Sequence, residues 1–225
     1  MKRGKYTILI LVITASIIVF LLLNLLLGSV SIPFASVWNI LTGGEGDPVA
    51  WQNIILKSRL PQALTALVAG AGLSISGLQM QTIFRNPLAG PSVLGISSGA
   101  SLGVAFVVLL SGQLGGVALS RLGFIGEVAL SIAAIAGALS VMGLIVLASR
   151  KVAGSVTLLI IGVMIGYIAN AVIGVLKFFS VEEDIKAYVI WGLGSFSRVS
   201  GNQMMLFVGI MAVIIPLSFL LIKSL

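Results

Sequence analysis

The sequence predicts an all-α protein, a polytopic bundle of transmembrane helices, and three observations carry that expectation. Of the 225 residues, 59% are hydrophobic and only 8% are charged, whereas an ordinary soluble domain carries about 25% charged residues. Six uncharged stretches come near the roughly 20 apolar residues that a helix needs to cross a bilayer core of about 30 Å. Lys and Arg collect between those stretches rather than inside them. Too little polar side chain is present to clothe a water-facing globule, so a soluble enzyme is excluded at the outset.

The stretches are 7–27, 60–84, 93–110, 128–148, 156–176 and 204–222, and they predict one transmembrane domain over 1–225. The first follows Lys2, Arg3 and Lys5. Its 21 residues exceed the roughly 7–15 of a signal-peptide core, so a retained helix is expected. The second ends at Arg85, Asn86 and Pro87. Pro87 lacks an N–H and disfavours helix at Asn86, which stops the helix and leaves Arg85 at the membrane surface. Gly95, Gly99 and Gly103 recur at four-residue spacing in the third stretch. Gly162, Gly166, Asn170 and Gly174 do so in the fifth, and Ala66, Gly70 and Ser74 in the second. That spacing places residues on one helix face. The missing bulk lets two backbones pack closely or leaves a smooth wall toward a cavity. Asn170 favours a cavity for the fifth stretch, because an amide facing lipid is unsatisfied.

Loops 28–59 and 177–203, the latter with Glu182, Glu183 and Asp184, read either as connections with interfacial aromatics or as a docking surface for something outside the membrane, and Ser36–Leu41 as a short interfacial helix around Trp38. Placing the N-terminus inside puts Lys2, Arg3, Lys5, Arg85, Arg150, Lys151 and Lys223 on the cytoplasmic side with no acid. All six acidic residues then lie outside. The net charge of +7 is therefore a topology signal rather than a nucleic-acid footprint.

No His and no Cys is present, so catalysis or metal ligation through those side chains is excluded. No catalytic residue, metal site or resident cofactor is expected. No Asp, Glu, Lys or Arg lies within a stretch, which argues against a proton or ion relay. An ion-coupled secondary transporter using neutral ligands is the alternative of a different class, since backbone carbonyls bind Na⁺. A non-transporting membrane scaffold is the remaining one.

The stretch from Arg59 to Gly103, RLPQALTALVAGAGLSISGLQMQTIFRNPLAGPSVLGISSGASLG, is far more specific. Its R-L-P, G-A-G-L-x-x-S-G, Q-x-x-x-R-N-P-L-A-x-P and L-G-x-S-S-G-A elements closely resemble the permease subunits of the ABC importers for iron chelates (siderophores) and vitamin B12. Weaker likeness follows at Leu158–Gly162 and from Trp191 to Ser195. The likeness covers essentially the whole chain.

That resemblance implies a bacterial cytoplasmic-membrane permease, N-terminus inside, importing ferric siderophore, with vitamin B12 or haem as alternative cargo. It implies a second permease subunit, as homo- or heterodimer, and a cytoplasmic ATPase dimer that uses ATP. It further implies an extracytoplasmic substrate-binding protein. Gly162, Gly166, Asn170 and Gly174 fall on the helix that lines the family's pathway, and Ser155 and Val156 on its cytoplasmic gate. Arg59 matches an arginine that docks the binding protein. Where the family often has a second arginine this chain has Gln62, which leaves paired docking in question. Arg85, Asn86, Pro87, Gly95 and Gly99 belong to the family motif. The family fold has about ten spans, so six spans are expected to represent its N-terminal part.

Overall fold

The computed structural model of the chain describes residues 2–44, 48–111, 124–152, 154–197 and 199–222. Among them every regular element is helical: α1 Lys2–Leu26, α2 Phe34–Leu41, α3 Val49–Ile54, α4 Leu60–Phe84, α5 Ile96–Ser111, α6 Phe124–Ser149, α7 Ser155–Phe179, α8 Glu182–Gly192 and α9 Gly201–Ile222. A π-helical turn over Ile55–Arg59 joins α3 to α4 without a break.

Five helical runs among the described residues, rather than six, are long and apolar enough to cross a membrane: Gly4–Leu26, Val49–Phe84, Ile125–Ser149, Ser155–Phe179 and Gly201–Leu220. The third predicted stretch, 93–110, is the exception. Its helix starts only at Ile96 because Pro91–Gly95 is spent on turns, with Gly95 at φ +73. The remaining 16 residues rise about 24 Å at 1.5 Å each, short of the hydrocarbon core. Loop 28–59 also departs from expectation. Its second half is helix continuous with α4, and its interfacial helix is two residues longer than predicted.

The chain forms two compact units. The first comprises Met1–Gly72 and Phe196–Leu220. Its core is small: Leu25, Ile32, Val37, Ile40 and Ile55, where the end of α1 meets α2 and the π-turn. The second unit holds Leu73–Ser195. There α5 packs on α6, α7 and α8. One cluster gathers Phe84, Ala89, Leu94, Val141, Ile145 and Leu159. Another gathers Val104, Ala105, Val108, Leu109, Ile173 and Tyr188.

Apolar side chains also point outward along these helices, as with Phe20 at 69% exposure and Ile132 at 61%. In water such surface would be untenable; in lipid it is the required exterior. The protein is an integral membrane protein.

Candidate functional site

The sequence-predicted pathway helix is α7, and the structure divides its four-residue stripe in two. Gly162 and Gly166 are buried, together with Leu159, Ala169 and Ile173. Asn170 and Gly174 are exposed. The division follows from helix geometry: at 3.6 residues per turn, each four-residue step drifts about 40° around the axis. Starting on the packed face, the stripe has left it two steps later.

Gly162 and Gly166 meet the turn that opens α5. A Cβ built on Gly162 would lie 2.8 Å from Leu94 Cα, and one on Gly95 would lie 2.6 Å from Gly162 O. Ser98 Oγ stands 3.4 Å from the Cβ position of Gly166. These glycines thus act first as a seat for the α5 turn. Their bare faces are occupied rather than open. Asn170 and Gly174 are the members of the stripe left uncovered.

Glycine contact is tighter still where α5 crosses α6. A Cβ on Gly137 would fall 2.1 Å from Gly99 O, and one on Gly103 would fall 2.1 Å from Ala133 O. Backbone approach of this kind is how helices adhere without a hydrophobic drive between them. Gly137 was not singled out from the sequence. The Ala133-x-x-x-Gly137 spacing was the available signal.

The N-terminal end of α7 is preceded by Gly154, held at φ +115, a region side chains disfavour. Ser155, the first residue of α7, is half-buried, and Val156 is 63% exposed. The Arg85-Asn86-Pro87 motif forms the C-terminal cap of α4. Arg85 sits at φ +47. Its N–H donates to Thr82 O at 3.3 Å, and the Asn86 N–H donates to Gln81 O at 3.2 Å, the two bonds of a Schellman cap. Asn86 Oδ1 then accepts from Leu88 N–H at 2.9 Å, and Gln81 Nε2 donates to Pro87 O at 3.1 Å. The motif is a rigid corner with the arginine side chain exposed. Glycine is the usual residue at this cap position, because an L side chain there costs roughly 1–2 kcal/mol.

Arg59 is the residue that the family resemblance matches to a docking arginine. It is buried, 8% exposed, in the π-turn. Its Nη1 donates to Leu25 O at 2.7 Å and Leu26 O at 3.1 Å, and its Nη2 to Val30 O. Gly28 is required alongside, since a Cβ there would lie 2.7 Å from Nη2. The guanidinium caps the carbonyl end of α1, where a cation is electrostatically favoured. Gln62, at the position of the family's second arginine, donates from Nε2 to Ser58 Oγ at 2.9 Å.

At the far end of α7, Lys177 Nζ lies 4.8 Å from the centroid of the Tyr188 ring in α8. Burial pushes the Tyr188 phenol up, partly offset by a hydrogen bond with Ser101. Asp184, also in α8, is buried, and its Oδ2 has no hydrogen-bond partner. Its carboxyl is held above its ordinary value, first by burial and then by neighbouring Glu183. From the sequence this segment reads as an acidic run in a loop, and the burial of Asp184 is not visible there. Among the described residues, no group of three or more acidic side chains could hold a metal ion.

The fold and these contacts define a class, a polytopic α-helical membrane protein whose short central helix is seated on glycines between its neighbours. Residues 16–225 match the FecCD transport family, and the chain belongs to it. It is 41% identical over 170 residues to the "Probable iron chelatin transport system permease protein" of Helicobacter pylori, covering 74% of this chain and 47% of the relative. It is 32% identical over 180 residues to a hemin transport system permease protein of Yersinia pestis, covering 80% and 50%. It is 36% identical over 172 residues to a vitamin B12 import system permease protein of Salmonella paratyphi A, covering 76% and 48%. The chain therefore spans about half the length of the curated relatives it matches. Among solved structures it resembles a protein classed as a metal-chelate type ABC transporter in an inward-facing conformation. The TM-score is 0.72 and the identity 26%, over 92% of this chain and 60% of that one.

Proposed function

We propose that this chain belongs to the membrane-spanning permease of an ATP-driven importer that carries ferric siderophore into the cytoplasm. The observation that carries the reading is the family match across 16–225, with an iron chelatin permease among the similar relatives. Vitamin B12 and haem are the rival cargoes, since relatives named for each are also similar. ATP would be hydrolysed by a separate cytoplasmic ATPase dimer. A second permease subunit, identical or related, would complete the path, and an extracytoplasmic binding protein would deliver the cargo. This chain would hold no cofactor. The positive-inside distribution of Lys and Arg supports a cytoplasmic N-terminus in a bacterial inner membrane.

In this reading Asn170 and Gly174 line the path, while Gly162 and Gly166 fix the helix that carries them. Ser155 and Val156, just beyond the left-handed Gly154, form the cytoplasmic gate. A wall of small, weakly polar groups suits passage, which requires that cargo be held loosely. No Asp, Glu, Lys, Arg or His lies in the middle of the spanning helices, so the work is assigned to the external ATPase.

The test is uptake into proteoliposomes holding the full-length permease with its ATPase and binding protein. Ferric siderophore should accumulate only when ATP is supplied. Accumulation driven by an ion gradient without ATP would overturn the importer reading in favour of a secondary transporter. ATP-dependent accumulation of haem or cobalamin instead would overturn the cargo alone.

A further inference from the structure

We propose that Lys177 is a specificity-determining residue of the path, a cation drawn toward Asn170 that favours chelates of net negative charge over neutral ones. The inference rests on the transport reading above and names the charge class of its cargo. Lys177 is the one charged residue of α7. It stands seven residues after Asn170, which on a helix is about 20° short of two full turns and about 10 Å further along. It therefore continues the line of Asn170, three residues beyond Gly174, the other uncovered member of the stripe.

A lysine in the last turn of a helix ordinarily serves the carbonyl end or turns to water. Neither holds here. Lys177 O accepts from the Ser180 N–H at 3.2 Å and Leu176 O accepts from Ser180 Oγ at 2.6 Å, so Ser180 already satisfies those carbonyls. The ammonium is instead folded onto the Tyr188 ring, 4.8 Å from its centroid. That ring is buried with Val104, Val108, Leu109 and Ile173, and its hydroxyl hydrogen-bonds Ser101. Helices α5 and α7 run the same way, since Ser98 stands against Gly166 and Leu109 O accepts from Ser180 Oγ at 3.1 Å. Ser101 lies about one turn beyond Ser98, and Asn170 about one turn beyond Gly166. The ring thus draws the ammonium back along α7 toward the level of Asn170. Among the described residues no carboxylate pairs with it, and the acids of α8 form no ion pair with it. A cation on a ring face keeps its charge with little water around it. Half-buried in this way, it attracts a passing anion more strongly than a lysine in bulk water does. A neutral chelate gains nothing from it.

The experiment is ATP-driven uptake into proteoliposomes holding the full-length permease with its ATPase and binding protein. Two ferric complexes are compared, a tris-catecholate of net negative charge and an uncharged tris-hydroxamate. Lys177→Met keeps the unbranched stem and a sulfur–aromatic contact with Tyr188, so the fold is retained. Lys177→Arg keeps the charge. Each rate is divided by the wild-type rate for the same complex, which cancels the preference of the binding protein. Relative to the tris-hydroxamate, uptake of the tris-catecholate should fall about tenfold in Lys177→Met, the worth of one charge-assisted contact. It should stay near wild type in Lys177→Arg. An equal change for both complexes overturns the proposal and leaves the importer reading standing, as does uptake of the tris-hydroxamate alone. Where only the tris-catecholate enters, no fall in Lys177→Met overturns it, and so does an equal fall in both variants. Uptake of neither complex in the presence of ATP overturns the transport reading, and this inference with it.

Discussion

Where α5 crosses α6, main chain lies against main chain, because Gly99, Gly103 and Gly137 bring no side chain to the contact. Where α1 ends, one long side chain reaches in from the π-turn and gathers three carbonyls. The first joint depends on what is missing at several positions; the second depends on what is present at one. A joint of the first kind is tight along its length and intolerant of any added atom. The second kind is tolerant nearby but fails at a single residue.

The largest expected effect tests the first joint. Gly137→Ala places a Cβ that would meet the Gly99 carbonyl at 2.1 Å, and should destabilise the protein by about 3 kcal/mol, the overpacking range. Gly143→Ala, where a Cβ meets nothing within 4 Å, should change stability by no more than about 0.5 kcal/mol. Thermal unfolding in detergent checks both. Equal effects would mean that the glycines serve flexibility rather than contact.

The second joint is tested by Arg59→Lys, which keeps the charge and removes the planar fork. Three carbonyls fanned around one guanidinium cannot all be reached by an ammonium, so a loss of about 2 kcal/mol is expected. Full stability in that variant would reduce the cap to simple electrostatics.

The smallest effect concerns Asp184, which belongs to neither joint. The folded chain holds its proton more tightly than the unfolded chain does. Its stabilising contribution is therefore complete below the ordinary carboxylate range and is lost as pH rises through the elevated value. Asp184→Asn should remove that dependence and raise stability at neutral pH by about 1 kcal/mol, comparable to relieving one buried unpaired group. A pH-stability series of both forms is the measurement.

Much of the architecture was legible because bilayer solvation dictates composition so strongly. Leu60–Phe84 has the predicted bounds, and the other spans differ by a few residues at their ends. Three features escaped, one of them α8, Glu182–Gly192, which lies inside the predicted loop 177–203. The first turns of the 93–110 stretch are as apolar as a helix, and only the left-handed Gly95 and its contact with Gly162 reveal them as a turn. The helix at 49–59 is too polar for a span and reads as loop, yet the main chain runs on through a π-turn. At the candidate site, the glycine stripe of α7 was visible, but which glycines are covered depends on its neighbours. The Arg59 motif was visible too. Its burial was not, because the carbonyls it caps lie some thirty residues earlier in the chain.

The helical run from Val49 to Phe84 has 36 residues, about 54 Å at the usual rise, against about 40–45 Å for a bilayer with its headgroups. Its N-terminal part carries Gln52, Asn53 and Lys57. The run is thus longer than a bilayer is thick, and its surplus falls where the chain carries polar side chains.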